Sequence, residues 1–201
     1  MATTPSKTIG TSLLAWQDMA STAQVISTVV TVTTKWGIAF NVNLGRLTGT
    51  AFTAGWPKVR IEASGKASGN DKWVPLLSLQ AAIGASIAST TLDGAIIAGA
   101  TTAVVALATN IAIGDYLFLG HTSTVGNYEL ARVKAISGTT VTFEEAITNA
   151  HDTAAVVTSQ AESYFPALDV SLYSRIRVIA DNANSGQGIK IEVLYNTFDS
   201  F

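Results

Sequence analysis

The sequence lacks cysteine altogether, which excludes disulfide bonds and thiolate chemistry. It contains only two histidines, His121 and His151, and neither has the spacing of a metal-binding motif such as HExxH. Both lie in polar segments that we expect to be solvent-exposed turns. The sequence has no GxSxG nucleophile elbow, phosphate-binding loop or GxGxxG segment. We therefore predict no catalytic residue, no metal site and no cofactor, and we expect a protein that is not an enzyme.

Charged residues are also scarce, at 13% of the chain compared with roughly 25% in an average soluble domain. The formal net charge of −2 provides no strong field to attract nucleic acid, so we expect no nucleic-acid partner. The most apolar stretch, 81–119, is interrupted by polar residues too often to cross a membrane, which takes about 20 mostly apolar residues. The first ten residues lack the apolar region of a secretory signal. We expect no membrane association.

Alanine and β-branched residues dominate the composition, with 30 Ala, 26 Thr, 17 Val and 16 Ile. Val, Ile and Thr fit the half-buried surface of a pleated sheet, so the composition predicts an all-β fold. A protein with so few charges must either cover its surface with small polar and apolar residues or bury part of it in an interface. We expect a contribution from both.

Alternation of apolar and polar residues marks the strands. The clearest example is KWGIAFNVNLG at 35–45, where Trp36 is the first of five apolar residues on the predicted core face. Asn41 and Asn43 lie on the opposite face of the same strand. In the segment WVPLLSLQ, Pro75 predicts that the strand either lies at the edge of a sheet or begins there, because proline cannot donate a hydrogen bond to a neighbouring strand.

Two further alternating segments lie near the C-terminus, RIRVIA at 175–180 and IKIEVLY at 189–195. They are separated by the turn-forming segment DNANSGQG. We predict that the two strands form a hairpin whose outward charges pair across the strands.

Strands at about ten-residue spacing between 86 and 158 predict a small β-barrel or β-sandwich. The strands after 159 are too few to stand alone, and their pattern matches that of 23–85. We therefore predict a discontinuous β-sandwich formed by 23–85 and 159–201, with 86–158 as an inserted β domain. Residues 1–22 are predicted to be an N-terminal arm, extended or with one short helical turn. Two consecutive domains are the alternative.

Four apolar side chains are candidates for contacts with another subunit: Leu13, Leu14 and Trp16 of the predicted arm, and Trp56 between a glycine and a proline. Aromatic rings on a β-sandwich can also stack on sugars, so a carbohydrate-binding module that uses Trp56 is an alternative. Packing in a core or an interface is the favoured interpretation of Trp56, and we expect the protein to bind no glycan.

Several segments together resemble tailed-phage virion structural proteins, a group that includes capsid decoration (cement) proteins and related head or tail accessory proteins. The resemblance rests on strand patterns with turn residues and covers most of 23–198. It is carried by KWGIAFNVNLGR, KVRIEAS, GNDKW, GDYLFL, ELARVKAISG and RIRVIADN.

The resemblance implies a protein that is made in the host cytoplasm and assembles on the capsid surface of a virion. The implied partners are the major capsid protein and its own copies, as a homotrimer, and no cofactor or small-molecule substrate is implied. A tail or fibre accessory protein of the same particle is the alternative within this group.

Overall fold

The protein is all-β, as its composition and alternation predict, and the residues described contain strands and turns but no helix. Accordingly, no helix that could cross a membrane occurs among them. The computed structural model describes residues 7–46, 48, 50, 57–69, 72–80, 87–122, 127–159, 161–182 and 186–199, with the side chains of 7–9 and 162 left out.

The described chain contains sixteen strands. They are β1 Lys7–Met19, β2 Gln24–Ile26, β3 Val30–Thr31, β4 Lys35–Arg46, β5 Lys58–Ser64, β6 Val74–Gln80, β7 Ser89–Thr91, β8 Thr102–Val104, β9 Tyr116–Leu119, β10 Glu129–Ser137, β11 Thr140–Phe143, β12 Val156–Thr158, β13 Glu162–Tyr164, β14 Ala167–Asp169, β15 Arg175–Asp181 and β16 Ile189–Asp199.

Two antiparallel sheets form a sandwich. The first has the strand order β1-β16-β4-β13, with β14 also paired to β4, and the second has the order β2-β15-β5-β6, with β3 also paired to β15. Their facing side chains form one core that includes Phe40 and Val42 from the first sheet and Ile61, Ile176 and Val178 from the second. Removing these apolar side chains from water holds the two sheets together, at roughly 25 cal/mol per Å² of buried apolar surface.

The third sheet has the order β7-β12-β9-β10-β11-β8 and its own core, which includes Leu117, Val133 and Phe143. Its two end strands approach each other, because Leu92 and Val105 form an antiparallel bridge immediately beyond β7 and β8. The sheet therefore curls round into a small barrel. All strands from β7 to β12 pair only with one another, so this barrel is an insert within the discontinuous sandwich. The domain bounds proposed at 85/86 and 158/159 stay a prediction.

The barrel packs on the outer face of the first sheet through aromatic side chains. Trp16 of β1, Phe118 of β9 and Tyr128 form one buried cluster, with ring centroids 5.5–6.1 Å apart. Gly45 of β4 makes this approach possible, since a Cβ at that position would lie 2.3 Å from Cδ2 of Phe118. Lys190 of β16 adds a polar contact, with Nζ donating to the Tyr128 hydroxyl at 3.1 Å.

The prediction of an N-terminal arm needs correction for residues 7–19. These residues form β1, an edge strand of the sandwich that pairs antiparallel with β16 from Lys7–Phe198 to Met19–Ile189. Met19 is 1% exposed, and Nδ2 of Asn182 donates to the carbonyl oxygens of Met19 and Ala20. The segment is thus held by the chain's own core and hydrogen bonds.

The prediction of a C-terminal hairpin is wrong. β15 pairs with β5 in the second sheet and β16 pairs with β4 in the first, so the connection between them crosses the sandwich. The expected charge pairing changes accordingly: Arg177 binds Glu62 on β5, at 2.8 Å from Nη2 to Oε2. The edge position predicted from Pro75 is confirmed, because β6 is the last strand of its sheet.

Candidate functional site

Three of the four predicted interface residues are buried inside their own chain. Leu13 and Leu14 belong to the sandwich core, and Trp16 packs against the barrel. All three are 6–7% exposed, so they offer no surface to another subunit, and the prediction needs correction. The physical reason is the irregular pairing of β1, whose register shifts after Ser12 and after Leu14, so that its apolar side chains reach both cores. Trp56 lies outside the described residues.

The structure instead exposes Trp36, which the alternation of β4 had placed in the core. Trp36 is 43% exposed, and its ring lies 5.9 Å from that of Phe198, centroid to centroid. Phe198 is paired with Gly37, where a Cβ would sit 3.4 Å from the Phe198 ring, so the glycine leaves room for it. The buried core begins at Ile38, two residues after Trp36 on β4.

These two rings border a mostly apolar depression of about 340 Å³ at one end of the first sheet. We call it the Trp36 surface, and it is lined by Trp36, Gly37, Ile38, Ala167, Leu168, Asp169 and Phe198. Exposed apolar depressions of this kind occur both in protein–protein contacts and in ligand-binding grooves.

A second concave region lies between the sandwich and the barrel. We call it the junction groove, and its volume is about 560 Å³. It is lined by Trp16, Asn41, Asn43, Tyr116, Tyr128, Glu129, Leu130, Glu145, Thr148, Asn149, Ser163, Phe165, Glu192 and Leu194. A smaller cavity of about 220 Å³ adjoins it along the barrel and shares Tyr116, Glu129, Leu130, Glu145 and Thr148 with it.

The floor of the junction groove is a polar row fixed by strand register. Ser163 of β13, Asn43 of β4 and Glu192 of β16 are direct cross-strand partners. Oγ of Ser163 donates to Oδ1 of Asn43 at 2.8 Å, and Nδ2 of Asn43 donates to Oε2 of Glu192 at 3.0 Å. Asn41 lies two residues along β4, on the same face, and its Oδ1 is 3.2 Å from the same Ser163 hydroxyl, whose single hydrogen the two amide oxygens share.

Burial shapes the electrostatics of this face. It raises the pKa of the Glu192 carboxyl above its ordinary value, and the hydrogen bond from Asn43 opposes this only in part. Burial likewise lowers the pKa of Lys190, which lies two residues earlier on the same face of β16. Lys190 forms an ion pair with Asp18 and lies 4.5 Å from the centre of the Tyr128 ring.

The two histidines are not solvated, and that expectation is wrong. His151 is 1% exposed, with Nδ1 2.6 Å from the Gly120 carbonyl oxygen and Nε2 3.0 Å from Oε1 of Glu129. His121 lies 3.1 Å from Asp152, Nδ1 to Oδ2. These contacts cross-link the loop end of the barrel, and no periodicity in the sequence could have placed the rings there. Within the described ranges, no three His, Asp or Glu side chains are grouped so as to hold a metal ion.

No protein-family model matches the chain, and no curated protein matches it. Among solved structures it is similar to the Gp54 tailspike of Acinetobacter baumannii bacteriophage AP22 in complex with A. baumannii capsular saccharide, at 20% identity, covering 36% of this chain and 15% of that chain, with a TM-score of 0.31.

The chain is also similar to a structure of infectious bursal disease virus, Gt strain, at 7% identity, covering 97% of this chain and 40% of that chain, with a TM-score of 0.26. It therefore spans less than half the length of either neighbour. Both neighbours come from viruses, but TM-scores of this size do not establish a shared fold.

Proposed function

We propose that this chain is a structural protein of a tailed-phage particle, a capsid decoration protein that binds the major capsid protein and its own copies as a homotrimer on the virion surface. The sequence resemblance supplies the class of protein. The observation that carries the proposal is the Trp36 surface, an apolar depression with an exposed tryptophan on a protein that has few charges.

The Trp36 surface has the composition of an interface centre. Tryptophan and phenylalanine are enriched in the central residues of protein–protein interfaces, where truncation of a hot-spot residue to alanine costs about 2 kcal/mol or more. Trp36 and Phe198 stand on β4 and β16, two long strands that pair from Arg46–Ile189 to Lys35–Asp199. A contact site on such a rigid support loses little entropy when it binds.

A decoration protein also needs many weak contacts that act together. If three copies join, the second and third capsid contacts become intramolecular, and their effective concentration rises into the millimolar range for short spans. Each subunit then needs only a small apolar contact such as the Trp36 surface.

The direct test is binding to empty capsids of the source phage that lack this protein. We expect the purified chain to co-sediment with the capsids and to raise the temperature at which they break open. Trp36→Ala is expected to weaken capsid binding at least tenfold, because it removes the central ring of the contact. Ile113→Ala is the matched control, since Ile113 is 70% exposed but lies outside the Trp36 surface.

If the chain does not co-sediment with capsids at any concentration, the capsid assignment is overturned. Binding to purified tails would then assign the protein to the tail of the particle. Light scattering coupled to size-exclusion chromatography tests the trimer separately. A mass of about three times 20.9 kDa is expected, and a monomer at every dilution would restrict trimer formation to the capsid surface.

A further inference from the structure

We propose that the junction groove is a binding site for a neutral oligosaccharide, held between Tyr116 and Phe165 and hydrogen-bonded by Asn41 and Glu192. This site is separate from the Trp36 surface, with which it shares no residue. It is also separate from Trp56, the tryptophan considered for sugar stacking from the sequence.

The groove offers both donors and acceptors that the chain does not use. Oδ1 of Asn41 accepts from Ser163, but among the described residues neither hydrogen of its Nδ2 has an acceptor. Oε2 of Glu192 accepts from Asn43, whereas Oε1 has no donor in that part of the chain. The side chains of Glu145 and Thr148 likewise have no partner within the described ranges. A ligand rich in hydroxyl groups, each both donor and acceptor, matches this mixed set.

Two aromatic rings stand at the rim from different parts of the fold. Tyr116 is contributed by β9 of the barrel and is 38% exposed, and Phe165 follows β13 of the sandwich and is 69% exposed. Exposed rings beside unpaired polar groups suit a ligand that has apolar C–H faces as well as hydroxyls, which is the chemistry of a sugar ring. The guanidinium of Arg132 lies 5.9 Å from the centre of the Tyr116 ring and supports it from the neighbouring cavity.

The charges of the groove exclude anionic ligands. Its lining contains the carboxylates Glu129, Glu145 and Glu192 and no Lys or Arg. The carboxylate of Glu129 already accepts from the backbone amides of Thr148 and Asn149 and contacts His151, so it is occupied. Acidic sugars and nucleic acid would meet the negative charge of these carboxylates here. A basic peptide could pair with only two available carboxylates, those of Glu145 and Glu192, and its cationic groups could not accept hydrogen bonds from Asn41.

The site is formed before a ligand arrives. Strand register fixes Ser163, Asn43 and Glu192 in one row, and the packing of Trp16 on Phe118 and Tyr128 fixes the barrel wall relative to that row. Preorganisation of this kind raises affinity because little side-chain entropy is lost on binding.

The test is a titration of the full chain, labelled with ¹⁵N, with homo-oligomers of glucose, galactose, mannose and N-acetylglucosamine up to about 10 mM. Oligogalacturonate, glucosamine oligomers and a Lys-rich peptide serve as anionic and cationic comparisons. We expect saturable shifts for at least one neutral oligomer, including the side-chain amide signals of Asn41 and Asn43.

Three variants make the assignment specific. Phe165→Ala is expected to weaken binding roughly five- to tenfold through loss of stacking. Asn41→Asp retains the acceptor for Ser163 but removes both free donors, and is expected to weaken it at least tenfold. Leu172→Ala, at an 86% exposed residue outside the groove, and Trp36→Ala are expected to bind sugar normally.

The proposal is overturned if none of the neutral oligomers shows saturable binding. Binding that Phe165→Ala and Asn41→Asp leave unchanged, or a clear preference for the anionic or cationic probes, also overturns it. Because Trp36→Ala should lose capsid binding while it keeps sugar binding, failure of this proposal is distinguishable from failure of the capsid assignment.

Discussion

Gly45 lies where the sandwich and the barrel come closest, and its missing side chain is a structural requirement. A Cβ there would meet three atoms of the Phe118 ring at 2.3, 2.6 and 2.9 Å, and that ring is fully buried between Trp16 and Tyr128. We predict that Gly45→Ala destabilises the protein by about 1–3 kcal/mol, the usual cost of overpacking a filled interior. Equilibrium denaturation in urea measures the change.

Gly94→Ala is the matched control for this prediction, because nothing lies within 4 Å of a Cβ at Gly94. It should leave the free energy of unfolding within about 0.5 kcal/mol of the native value. Phe118→Leu in the Gly45→Ala background should recover part of the loss, since a smaller side chain relieves the contact. Strict additivity of the two changes would argue against the clash as the cause.

Glu192 makes the stability of the folded protein depend on pH. Its pKa is raised in the folded state from an ordinary value of 4.5, because burial disfavours the charged carboxylate. Well below pH 4.5 the carboxyl group is protonated whether the chain is folded or unfolded, so its burial carries no ionisation penalty. As the pH rises through the folded-state pKa, the buried group must ionise and stability is lost.

We therefore predict that Glu192→Gln, which can still accept the hydrogen bond from Asn43, raises the thermal midpoint at about pH 7.5. The difference from the native chain should shrink towards zero at about pH 3.5, where the native carboxyl is neutral. Thermal unfolding at both pH values checks this. A variant that is less stable than the native protein at about pH 7.5 would show that the carboxylate is favourable in this setting.

β1 is an edge strand that contributes to both hydrophobic cores. It pairs with β16 along most of its length and supplies Leu13, Leu14 and Met19 to the sandwich core and Trp16 to the barrel contact. Loss of one large buried apolar side chain costs about 2–5 kcal/mol, and the whole stability of a domain is about 5–15 kcal/mol. We predict that deletion of residues 1–19 abolishes cooperative unfolding and gives an aggregating protein.

Deletion of residues 1–6 alone is the control, because it leaves β1 intact, and this shorter deletion should unfold like the full chain. Circular dichroism and size-exclusion chromatography distinguish the two deletions. If the longer deletion yields a soluble protein with an unchanged thermal midpoint, residues 7–19 behave as a dispensable arm after all.

At the level of elements, alternation in the sequence was enough to locate the strands and, in part, their faces. It placed β4 and β15 within a residue of their observed ends and put Asn41 and Asn43 on the outer face of β4. It could not assign partners. β15 and β16 have compatible patterns and a turn between them, yet β15 pairs with β5 in one sheet and β16 pairs with β4 in the other.

The candidate sites depend on such long-range pairing, which explains why the sequence did not reveal them. The row in the junction groove joins residues 163, 43 and 192, which are neighbours only through strand register. Trp36 has the same periodicity as the core residues that follow it, but the first residue of β4 in the core is Ile38. Periodicity carries no information about how far along a strand the opposing sheet extends.

At the scale of the whole molecule, the chain enters and leaves the barrel at neighbouring positions. Ser89 and Thr158 are direct partners in the β7–β12 ladder, and the backbone amide of Ser159 donates to the Ala88 carbonyl oxygen at 3.0 Å. Joining residue 89 to residue 159 therefore spans only the short distance between paired strands. We predict that the chain without 90–158 still folds, because every strand of the sandwich retains its partners.

The shortened chain should nevertheless lose stability, because Trp16 loses its contacts with Phe118 and Tyr128 and becomes exposed. We expect a preserved β-type circular dichroism spectrum, a lower thermal midpoint and a red shift of tryptophan fluorescence that Trp16→Phe removes. The Trp16→Phe change in the full chain is the matched control for the intrinsic emission of the other tryptophans. Collapse of the β signal on excision would mean that the sandwich depends on the barrel to fold, and that the two units act as one cooperative domain.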